Sequence, residues 1–280
     1  MTRKTVSVGG ISCGADDLVL ISGPCVIEAE DLMLRTAEHL KSLSVRHRIP
    51  LIFKSSFIKD NRSSLGLYYG PGLEEGLRIL ERIKREFELP ILSDVHTPDQ
   101  VPAAAEVLDV IQVPAFLCMQ TSLLVACAQT GKPINLKRGQ FIAPDVMAKP
   151  VQKLVDAGND QVILTERGYV FGYNDLIVDP RSFYLMGQTG YPVVFDATHS
   201  IRRYGIPSAD PTGGNRAVLP VLTRAAVAAG VDGLFIEVHP QPEQALCDAA
   251  TQLPLQSLER FLLPLLELHA LVRPHRWNSI

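Results

Sequence analysis

Short apolar segments alternate with longer amphipathic segments along almost the whole chain. Eight apolar segments have the composition of buried β-strands: residues 18–22, 51–54, 91–93, 110–113, 133–136, 162–164, 193–195 and 233–237. The segments between them repeat apolar positions with a helical period, over residues 32–45, 73–87, 99–107, 121–129, 145–157, 180–187 and 216–229, with a last helical region over 241–249 and 255–271. Strands that are apolar on both faces and alternate with helices predict a parallel sheet covered by helices.

Eight successive strand–helix units predict a (β/α)8 barrel, the TIM-barrel architecture, and 280 residues is the size of one such barrel. No segment has the composition of an interdomain linker. We therefore expect one catalytic domain over residues 1–280, with residues 1–17 as a short N-terminal extension. A doubly wound open sheet is the alternative. Two long irregular segments, 56–72 and 200–215, are expected to be active-site lids or unstructured loops.

Composition and charge narrow the classes of partner. Apolar residues make up 46% of the chain, and the net charge of −3 gives no reason to expect nucleic acid or an anionic membrane as a partner. The chain has no apolar run of about 20 residues and no apolar signal segment near its start, so a cytoplasmic location is expected. Five scattered cysteines, at positions 13, 25, 118, 127 and 247, fit a reducing compartment better than a disulfide framework.

Polar or ionisable residues directly follow the apolar strands. They occur in GPC with Cys25, FKSS with Lys54, SDVH with Asp94 and His96, IQVP with Gln112, NLKRG with Lys137, LTERG with Glu166 and Arg167, FDATH with Asp196 and His199, and FIEVH with Glu237 and His239. In a parallel barrel these positions meet at one mouth, where barrel enzymes place their chemistry. Strand endings alone account for an occasional Asp or Ser, but poorly for Lys, Arg, His and Glu after so many strands.

Cationic residues are concentrated at this predicted mouth although the whole chain is net negative. They are Lys54, Lys59, Arg62, Lys137, Arg138 and Arg167. Any one of them alone is more simply interpreted as a solvated surface charge. Together they suit phosphate and carboxylate groups, which lysine and arginine bind through charge-assisted hydrogen bonds. The sequence therefore predicts an enzyme for small, phosphorylated, anionic substrates.

A metal site is a second possibility at the same mouth. Cys25, His199 and Glu237 end the first, seventh and eighth strands, which are neighbours in a closed barrel, and Asp248 in the following helical segment would turn back over the rim. One thiolate, one imidazole and two carboxylates suit Zn²⁺, Fe²⁺ or Mn²⁺. The residues alone leave this open, because a buried Cys is commonly a small apolar filler. His239, on the same strand face as Glu237, competes as a ligand, and the other four cysteines have no supporting arrangement.

Taken together, the motifs resemble those of the 3-deoxy-D-manno-octulosonate 8-phosphate synthases, from about residue 18 to residue 266. The matching stretches are GPCVIE (23–28), FKSSFIKDNRSS (53–64), GPGLEEGL (70–77), SDVHTP (93–98), DVIQVPAFL (109–117), NLKRGQF (135–141), LTERGYVFGYNDLIVD (164–179), FDATHS (195–200), FIEVHP (235–240) and ALCDAATQLPL (245–255). The related 3-deoxy-arabino-heptulosonate 7-phosphate synthases typically show a KPRTSP-like stretch where this chain has KDNRSS (59–64), which favours the octulosonate branch.

The resemblance implies a homotetrameric barrel enzyme that joins phosphoenolpyruvate to D-arabinose 5-phosphate and releases phosphate, for lipopolysaccharide synthesis. It implies that the phosphate and carboxylate of phosphoenolpyruvate are held by Lys54, Lys59, Lys137 and Arg167, with Gln112 and the Ala115 backbone nearby. It further implies that arabinose 5-phosphate is bound by Asn61, Arg62 and Ser63, with Asp94 near its reacting end.

The cysteine of the GPC motif implies a member of the metal-dependent class, with Cys25, His199, Glu237 and Asp248 as ligands of a divalent Zn, Fe or Mn ion. The residues expected to take part in the chemistry are Lys54, Lys59, Asp94, His199 and Asp248. The enol carbon of phosphoenolpyruvate would attack the sugar aldehyde, water would add at C2, and phosphate would depart by C–O cleavage. The general base stays open among Asp248, Glu237, His199 and water activated by the metal.

One departure from the family pattern concerns the acceptor. The family reads PAFL-x-R-Q-T-D, whereas residues 114–122 read PAFLCMQTS, so Met119 replaces an arginine that in relatives grips the sugar phosphate of a neighbouring subunit. Losing such a contact costs about 1.5–3 kcal/mol. Either another cation compensates, with Arg138, Arg202 and Arg203 as candidates, or the acceptor differs, for example erythrose 4-phosphate. The late loop also departs, as DPTGGNRA (210–217). A catalytically impaired barrel that only binds is disfavoured, since the candidate ligands and cations are all present.

Overall fold

Parallel strands form the centre of the molecule in the computed structural model, which describes residues 3–170 and 175–276. An N-terminal hairpin precedes them, made of β1 (Val6–Val8) and β2 (Ile11–Cys13). The central strands are β3 (Val19–Gly23), β4 (Leu51–Lys54), β5 (Ile91–Asp94), β6 (Val110–Val113), β7 (Ile134–Lys137), β8 (Val162–Glu166), β9 (Val193–Asp196) and β10 (Gly233–His239), and a short β11 (Leu253–Pro254) follows.

The central strands close into a barrel. Each of β3 to β9 pairs in parallel with the next strand along the chain, and β10 pairs with both β9 and β3. Every residue of the eight strands is buried, because helices cover the outer face and apolar side chains fill the interior. The prediction of a (β/α)8 barrel is therefore confirmed, and the open-sheet alternative is wrong. All eight predicted strands are present, with ends within two residues of the prediction.

Helices follow the strands and pack on the outside of the barrel. They are α1 (Glu30–His47), α2 (Leu73–Phe87), α3 (Val101–Val107), α4 (Thr121–Gln129), α5 (Ala148–Asp156), α6 (Arg181–Gly187), α7 (Leu219–Ala228) and α8 (Leu258–Val272). The sequence explains the ends of α1 and α2, which carry acidic residues in the first turn, basic residues in the last turn and a left-handed residue at the C-cap. Among the described residues, no helix is both long and apolar enough to cross a membrane.

The predicted helical region over 241–249 is wrong. Only a single 3₁₀ turn forms there, at Pro242–Gln244, and the chain beyond it is irregular. Asp248 has a φ of 49°, in the left-handed region, which interrupts any helix. The backbone N–H of Ala249 donates to the carbonyl of Ser208 at 3.0 Å, so bonds to a distant loop hold this segment instead of helical ones. Asp248 consequently reaches the barrel mouth from a loop.

The barrel interior is filled by inward-facing apolar side chains at its N-terminal end. They include Val19, Ile21, Ile52, Leu92, Val110, Ile163, Val194 and Phe235. The N-terminal hairpin, which the sequence did not predict, packs against this layer through Val6, Val8 and Cys13. The hairpin therefore closes the barrel at the end opposite the mouth.

Candidate active site and metal centre

A cavity of about 270 Å³ opens at the C-terminal ends of the strands. Four cations line it: Lys59, Arg62, Arg167 and Arg202. The candidate metal ligands His199 and Asp248 line it as well, as do the exposed Asn61 and Ser63. The predicted convergence of polar strand-end residues on one mouth is therefore seen, and positive charge surrounds a cavity of the size of a small phosphorylated molecule.

The four candidate metal ligands lie together at one side of this mouth. One ligand atom from each of Cys25, His199, Glu237 and Asp248 lies within 4.8 Å of the others. Cys25 Sγ is 3.3 Å from Asp248 Oδ2, and His199 Nε2 is 3.4 Å from Glu237 Oε2 and 3.5 Å from Asp248 Oδ2. His239 points away: its Nε2 lies 3.6 Å from Glu28 Oε2, and its Nδ1 accepts a backbone N–H. His239 is therefore not part of the cluster.

The charges of the cluster favour a bound cation. Burial by itself lowers the pKa of His199, but the carboxylates of Asp196 and Glu237 outweigh it and raise this pKa to about 10. Burial raises the pKa of Cys25 well above its ordinary value, and neighbouring Cys247 and Glu237 raise it further. A divalent cation would offset both effects, because it stabilises the thiolate and neutralises the carboxylates.

The donor set passes a further test of fit to a metal. Oxygen Oε2 of Glu237 is buried and accepts no hydrogen bond from the described residues. A buried carboxylate oxygen without a donor is costly unless a cation meets it. Asp196 lies behind His199, with Oδ2 at 2.8 Å from Nδ1, and so orients Nε2 towards the cluster. Such a carboxylate partner is the usual support of a metal-binding histidine.

The four cations predicted for phosphoenolpyruvate surround the same region. Lys54 Nζ is 2.9 Å from Glu237 Oε1 and 5.5 Å from the ring centre of Phe235, and Lys137 Nζ is 4.0 Å from the same ring centre. Arg167 donates from Nη2 to the carbonyl of His199 at 3.0 Å. Lys54 and Lys137 therefore lie above Phe235, and Arg167 is attached to the neighbouring His199.

Two of the four cations show why an anion would bind among them. The buried Nε–H of Arg167 meets no acceptor in residues 3–170 and 175–276. Desolvation acts to lower the pKa of Lys59, but its interactions with the acidic groups Cys25 and Glu237 outweigh it and raise this pKa well above its usual value. Lys59 is therefore charged, and Arg167 has a donor to spare.

Asp94, Gln112 and Ala115 are buried and are not among the residues that line the cavity. Asp94 Oδ1 accepts a hydrogen bond of 2.5 Å from Ser56 Oγ. Burial opposes the ionisation of Asp94, but the charge of Lys54 and the hydrogen bond from its neighbour His96 hold the pKa of Asp94 well below its usual range. Gln112 Oε1 accepts from Asn135 Nδ2 at 2.9 Å, and Ala115 is buried at the start of a 3₁₀ turn after β6.

Arg62 joins the cavity to the segment that carries Asp248. Its Nη1 donates to Ser208 Oγ at 2.5 Å and lies 3.0 Å from Cys247 Sγ, while its Nη2 donates to Asn61 Oδ1 at 2.9 Å. Cys247 Sγ also lies 3.0 Å from Cys25 Sγ. The expectation that Cys247 has no supporting arrangement is therefore wrong. The irregular loop around residue 248, which was predicted to be helical, brings this cysteine to the site.

Only one of the three cations considered as replacements for the missing arginine lines the cavity. Met119 is half-buried against the core. Arg138 is fully buried and forms a bidentate ion pair with Glu166, and Arg203 is exposed beside Asp175. Arg202, in contrast, is a lining residue.

Fold and site together define a class: a (β/α)8-barrel enzyme whose mouth combines a cluster of metal-binding residues with cations for an anionic substrate. The sequence model of the DAHP synthetase I family matches residues 2–273, and the chain belongs to this family.

Individual relatives indicate the branch of the family to which this chain is similar. A protein of Pelobacter propionicus is 52% identical over 98% of this chain and 100% of its own length. A protein of Trichlorobacter lovleyi is 52% identical over 96% of this chain and 99% of its own length. A protein of Geobacter sp. (strain M21) is 52% identical over 97% of this chain and 99% of its own length. All three are named 2-dehydro-3-deoxyphosphooctonate aldolase, another name for the octulosonate-phosphate synthases. The resemblance to the octulosonate branch is therefore confirmed.

Proposed function

We propose that this protein condenses phosphoenolpyruvate with D-arabinose 5-phosphate and water to give 3-deoxy-D-manno-octulosonate 8-phosphate and inorganic phosphate. The observation that carries this proposal is the group of cations at the barrel mouth beside the Cys25 cluster. The full-length similarity to relatives named 2-dehydro-3-deoxyphosphooctonate aldolase supports the same reaction. The product would serve lipopolysaccharide synthesis, and the enzyme would act in the cytoplasm, where its metabolic substrates are found.

Binding of phosphoenolpyruvate falls to Lys54, Lys59, Lys137 and Arg167 in this proposal, with Gln112 and the Ala115 backbone nearby. All four cations already have partners: Lys54 pairs with Glu237, Lys137 pairs with Asp196, Arg167 donates to the carbonyl of His199, and acidic groups surround Lys59. They are therefore held in place before the substrate arrives. Fixed cations stabilise a phosphate leaving group without having to reorganise during the reaction. The Nε–H of Arg167, which meets no acceptor among the described residues, is proposed to donate to this substrate.

Asn61, Arg62 and Ser63 bind the arabinose 5-phosphate at the outer part of the cavity, which they line. We propose that the buried Asp94, whose pKa is held low by the charge of Lys54, acts near the reacting end of the sugar. The enol carbon of phosphoenolpyruvate attacks the sugar aldehyde, water adds at C2, and phosphate leaves by C–O cleavage. His199 and Asp248 are proposed to take part in moving protons at this centre.

Cys25, His199, Glu237 and Asp248 would hold a divalent metal ion. Such an ion supplies a Lewis acid that polarises water or the aldehyde oxygen. The burial of Cys25, Glu237 and Asp248, the 12% exposure of His199 and the lack of a hydrogen bond to Glu237 Oε2 support this assignment. Assembly as a homotetramer is proposed from the resemblance to the family.

The test measures phosphate release from phosphoenolpyruvate with arabinose 5-phosphate and, in parallel, with erythrose 4-phosphate. Untreated protein, chelator-treated protein and chelated protein with Mn²⁺ restored are compared. Turnover only with the arabinose substrate, lost to the chelator and recovered with Mn²⁺, is the expected result. Turnover with erythrose 4-phosphate instead would show that the acceptor is wrong.

A matched pair of cysteine variants tests the metal ligands. Cys25→Ser is expected to lower both bound metal and turnover, because it removes one of the four donors. Cys127→Ser changes an equally buried cysteine in α4, away from the mouth, and is expected to keep both. Full metal content in Cys25→Ser would contradict the assignment.

A further inference from the structure

Arg202 lies where the long loop after β9 meets the metal-ligand cluster. The loop of residues 202–215 is folded back on itself: Arg203 N donates to Gly213 O at 2.8 Å, and Asn215 N donates to Ile201 O at 3.0 Å. The middle of the loop is joined to the segment that carries Asp248, because the backbone N–H of Ala249 donates to the carbonyl of Ser208. The loop and the ligand segment therefore form one contact surface over the mouth.

The guanidinium of Arg202 contacts both the loop of residues 202–215 and the segment that carries Asp248. Its Nη1 donates to the carbonyl of Gly213 at 3.1 Å, and its Nη2 donates to the carbonyl of Ile206 at 2.9 Å. Its Nε lies 3.0 Å from Asp248 Oδ1, in an ion pair whose side chains are 12% and 6% exposed; the angle is not that of a hydrogen bond, and Oδ1 accepts none from residues 3–170 and 175–276. A planar guanidinium with three separate partners fixes their relative geometry, which a flexible ammonium cannot do as well.

Asp248 has a particular need of such a partner. Its backbone is in the left-handed region, at a φ of 49°, and it lies in a loop instead of on a strand or helix. Its two carboxylate oxygens are divided: Oδ1 faces Arg202, while Oδ2 faces Cys25 at 3.3 Å and His199 at 3.5 Å. Arg202 is thus the charged partner on the Oδ1 side of this carboxylate.

We infer that Arg202 is a positioning residue, which holds Asp248 by Oδ1 so that Oδ2 is presented to the metal. The inference rests on the proposed function, since it assigns a role towards the ion that the four ligands would hold. Gly213 is part of the arrangement, because a Cβ at this position would lie 2.7 Å from Arg202 Nη1. Losing an outer partner of a metal ligand commonly weakens metal affinity about 10–100-fold.

The experiment measures Mn²⁺ affinity by competition with a fluorescent chelator, for wild type, Arg202→Gln, Arg202→Lys and Arg203→Gln. Removing a positive charge near the site would by itself strengthen the binding of a divalent cation. A weaker affinity in Arg202→Gln therefore identifies lost orientation as the cause. We expect a loss of about 10-fold or more, partly rescued in Arg202→Lys, and restoration of turnover by excess Mn²⁺.

Arg203→Gln is the matched control, because it removes the same charge from the adjacent, exposed position beside Asp175. Its Mn²⁺ affinity is expected to equal that of wild type. Gly213→Ala tests the same geometry without a change of charge, and it is expected to weaken Mn²⁺ binding in the same direction. It also serves as the test if Arg202→Gln does not fold, as judged by thermal unfolding of the metal-free proteins.

Unchanged or tighter Mn²⁺ binding in Arg202→Gln, or in Gly213→Ala where the first variant does not fold, would overturn the inference. The proposed function and the positioning role of Arg202 would be contradicted by different results. Wild-type protein that binds Mn²⁺ but turns over neither sugar phosphate would contradict the proposed function, and the affinity comparison would still decide the role of Arg202.

Discussion

Asp232, at the end of the barrel opposite the mouth, is expected to contribute more to stability than any exposed ion pair. Its side chain is 1% exposed, and three arginines pair with it. Arg3 Nη2 lies at 2.6 Å, Arg276 Nη2 at 2.8 Å and Arg273 Nη1 at 3.3 Å, while the backbone N–H of Val193 donates at 2.7 Å. Asp232→Asn removes the charge and keeps the shape.

The size of the effect follows from burial. Removing one partner of a buried ion pair costs about 3–5 kcal/mol, because the partner charge stays buried, and Arg276 is only 3% exposed here. Unfolding entropy of about 2.1 cal/mol/K per residue gives about 0.6 kcal/mol per degree for a chain of this length. Asp232→Asn should therefore lower the Tm by about 5–9 °C.

The effect should depend on pH. Burial acts to raise the pKa of Asp232, but the hydrogen bond and charge of Arg276, with the charge of Arg3, outweigh it and lower this pKa. The stabilisation is therefore complete above the unfolded pKa of about 4, and it is lost as the pH falls below that value through the folded pKa. The Tm difference between wild type and Asp232→Asn should narrow in acid.

The assay is thermal unfolding followed by circular dichroism from pH 7 to pH 3. Asp16→Asn is the control: Asp16 is fully exposed and its Oδ1 lies 3.9 Å from Arg273 Nε, so its loss should cost less than about 1 kcal/mol. A Tm for Asp232→Asn equal to that of Asp16→Asn, or a difference that does not narrow in acid, would refute the reasoning.

Three other substitutions test the mouth and the barrel. Lys59→Met should raise the KM for phosphoenolpyruvate about 10–100-fold, because a charged hydrogen bond contributes about 1.5–3 kcal/mol. Lys41→Met, at a half-buried position of the outer helix α1, should leave it unchanged in the same steady-state assay, and equal KM values would contradict the role of Lys59. Met119→Arg should lower the KM for arabinose 5-phosphate by restoring a phosphate contact; an unchanged KM would show that the site does not need this cation. Gly23→Ala should lower the Tm, because Gly23 has a φ of 155° and a Cβ there would overlap the carbonyl oxygen of Lys54, at a cost of about 1–3 kcal/mol. Gly131→Ala, at a φ of 68° with open space around it, should cost only about 1–2 kcal/mol, so an equal Tm loss in both would contradict the overlap.

The barrel strands could be predicted because burial on both faces leaves a simple signal of short apolar runs. The predicted and observed bounds coincide at Leu51–Lys54, which Ser55 follows, and at Val110–Val113, which Pro114 follows. The N-terminal hairpin gave no such signal. Its two strands have only three residues each, and their burial depends on the barrel residues that they cover.

The loop around Asp248 could not be predicted, because a local sequence pattern carries no information about contacts with distant segments. Apolar and polar residues from 241 to 249 fit a helical period, but hydrogen bonds to the loop of residues 202–215 impose another path. The proximity of Cys247 to Cys25 follows from that path, and 222 residues separate the two along the chain. The four metal-ligand candidates, in contrast, could be grouped from sequence because three of them end neighbouring strands.

The N-terminal hairpin, which closes the barrel opposite the mouth, limits the route by which small molecules reach the site. In the described part of the chain, Phe235 and the apolar layer fill the barrel beneath the lysines, so the site is reached from the mouth. Substrates must then enter, and both products leave, past the same loop of residues 202–215, which lines the cavity. Inorganic phosphate leaving by this route should compete with incoming phosphoenolpyruvate, so the order of product departure can be read from the pattern of product inhibition.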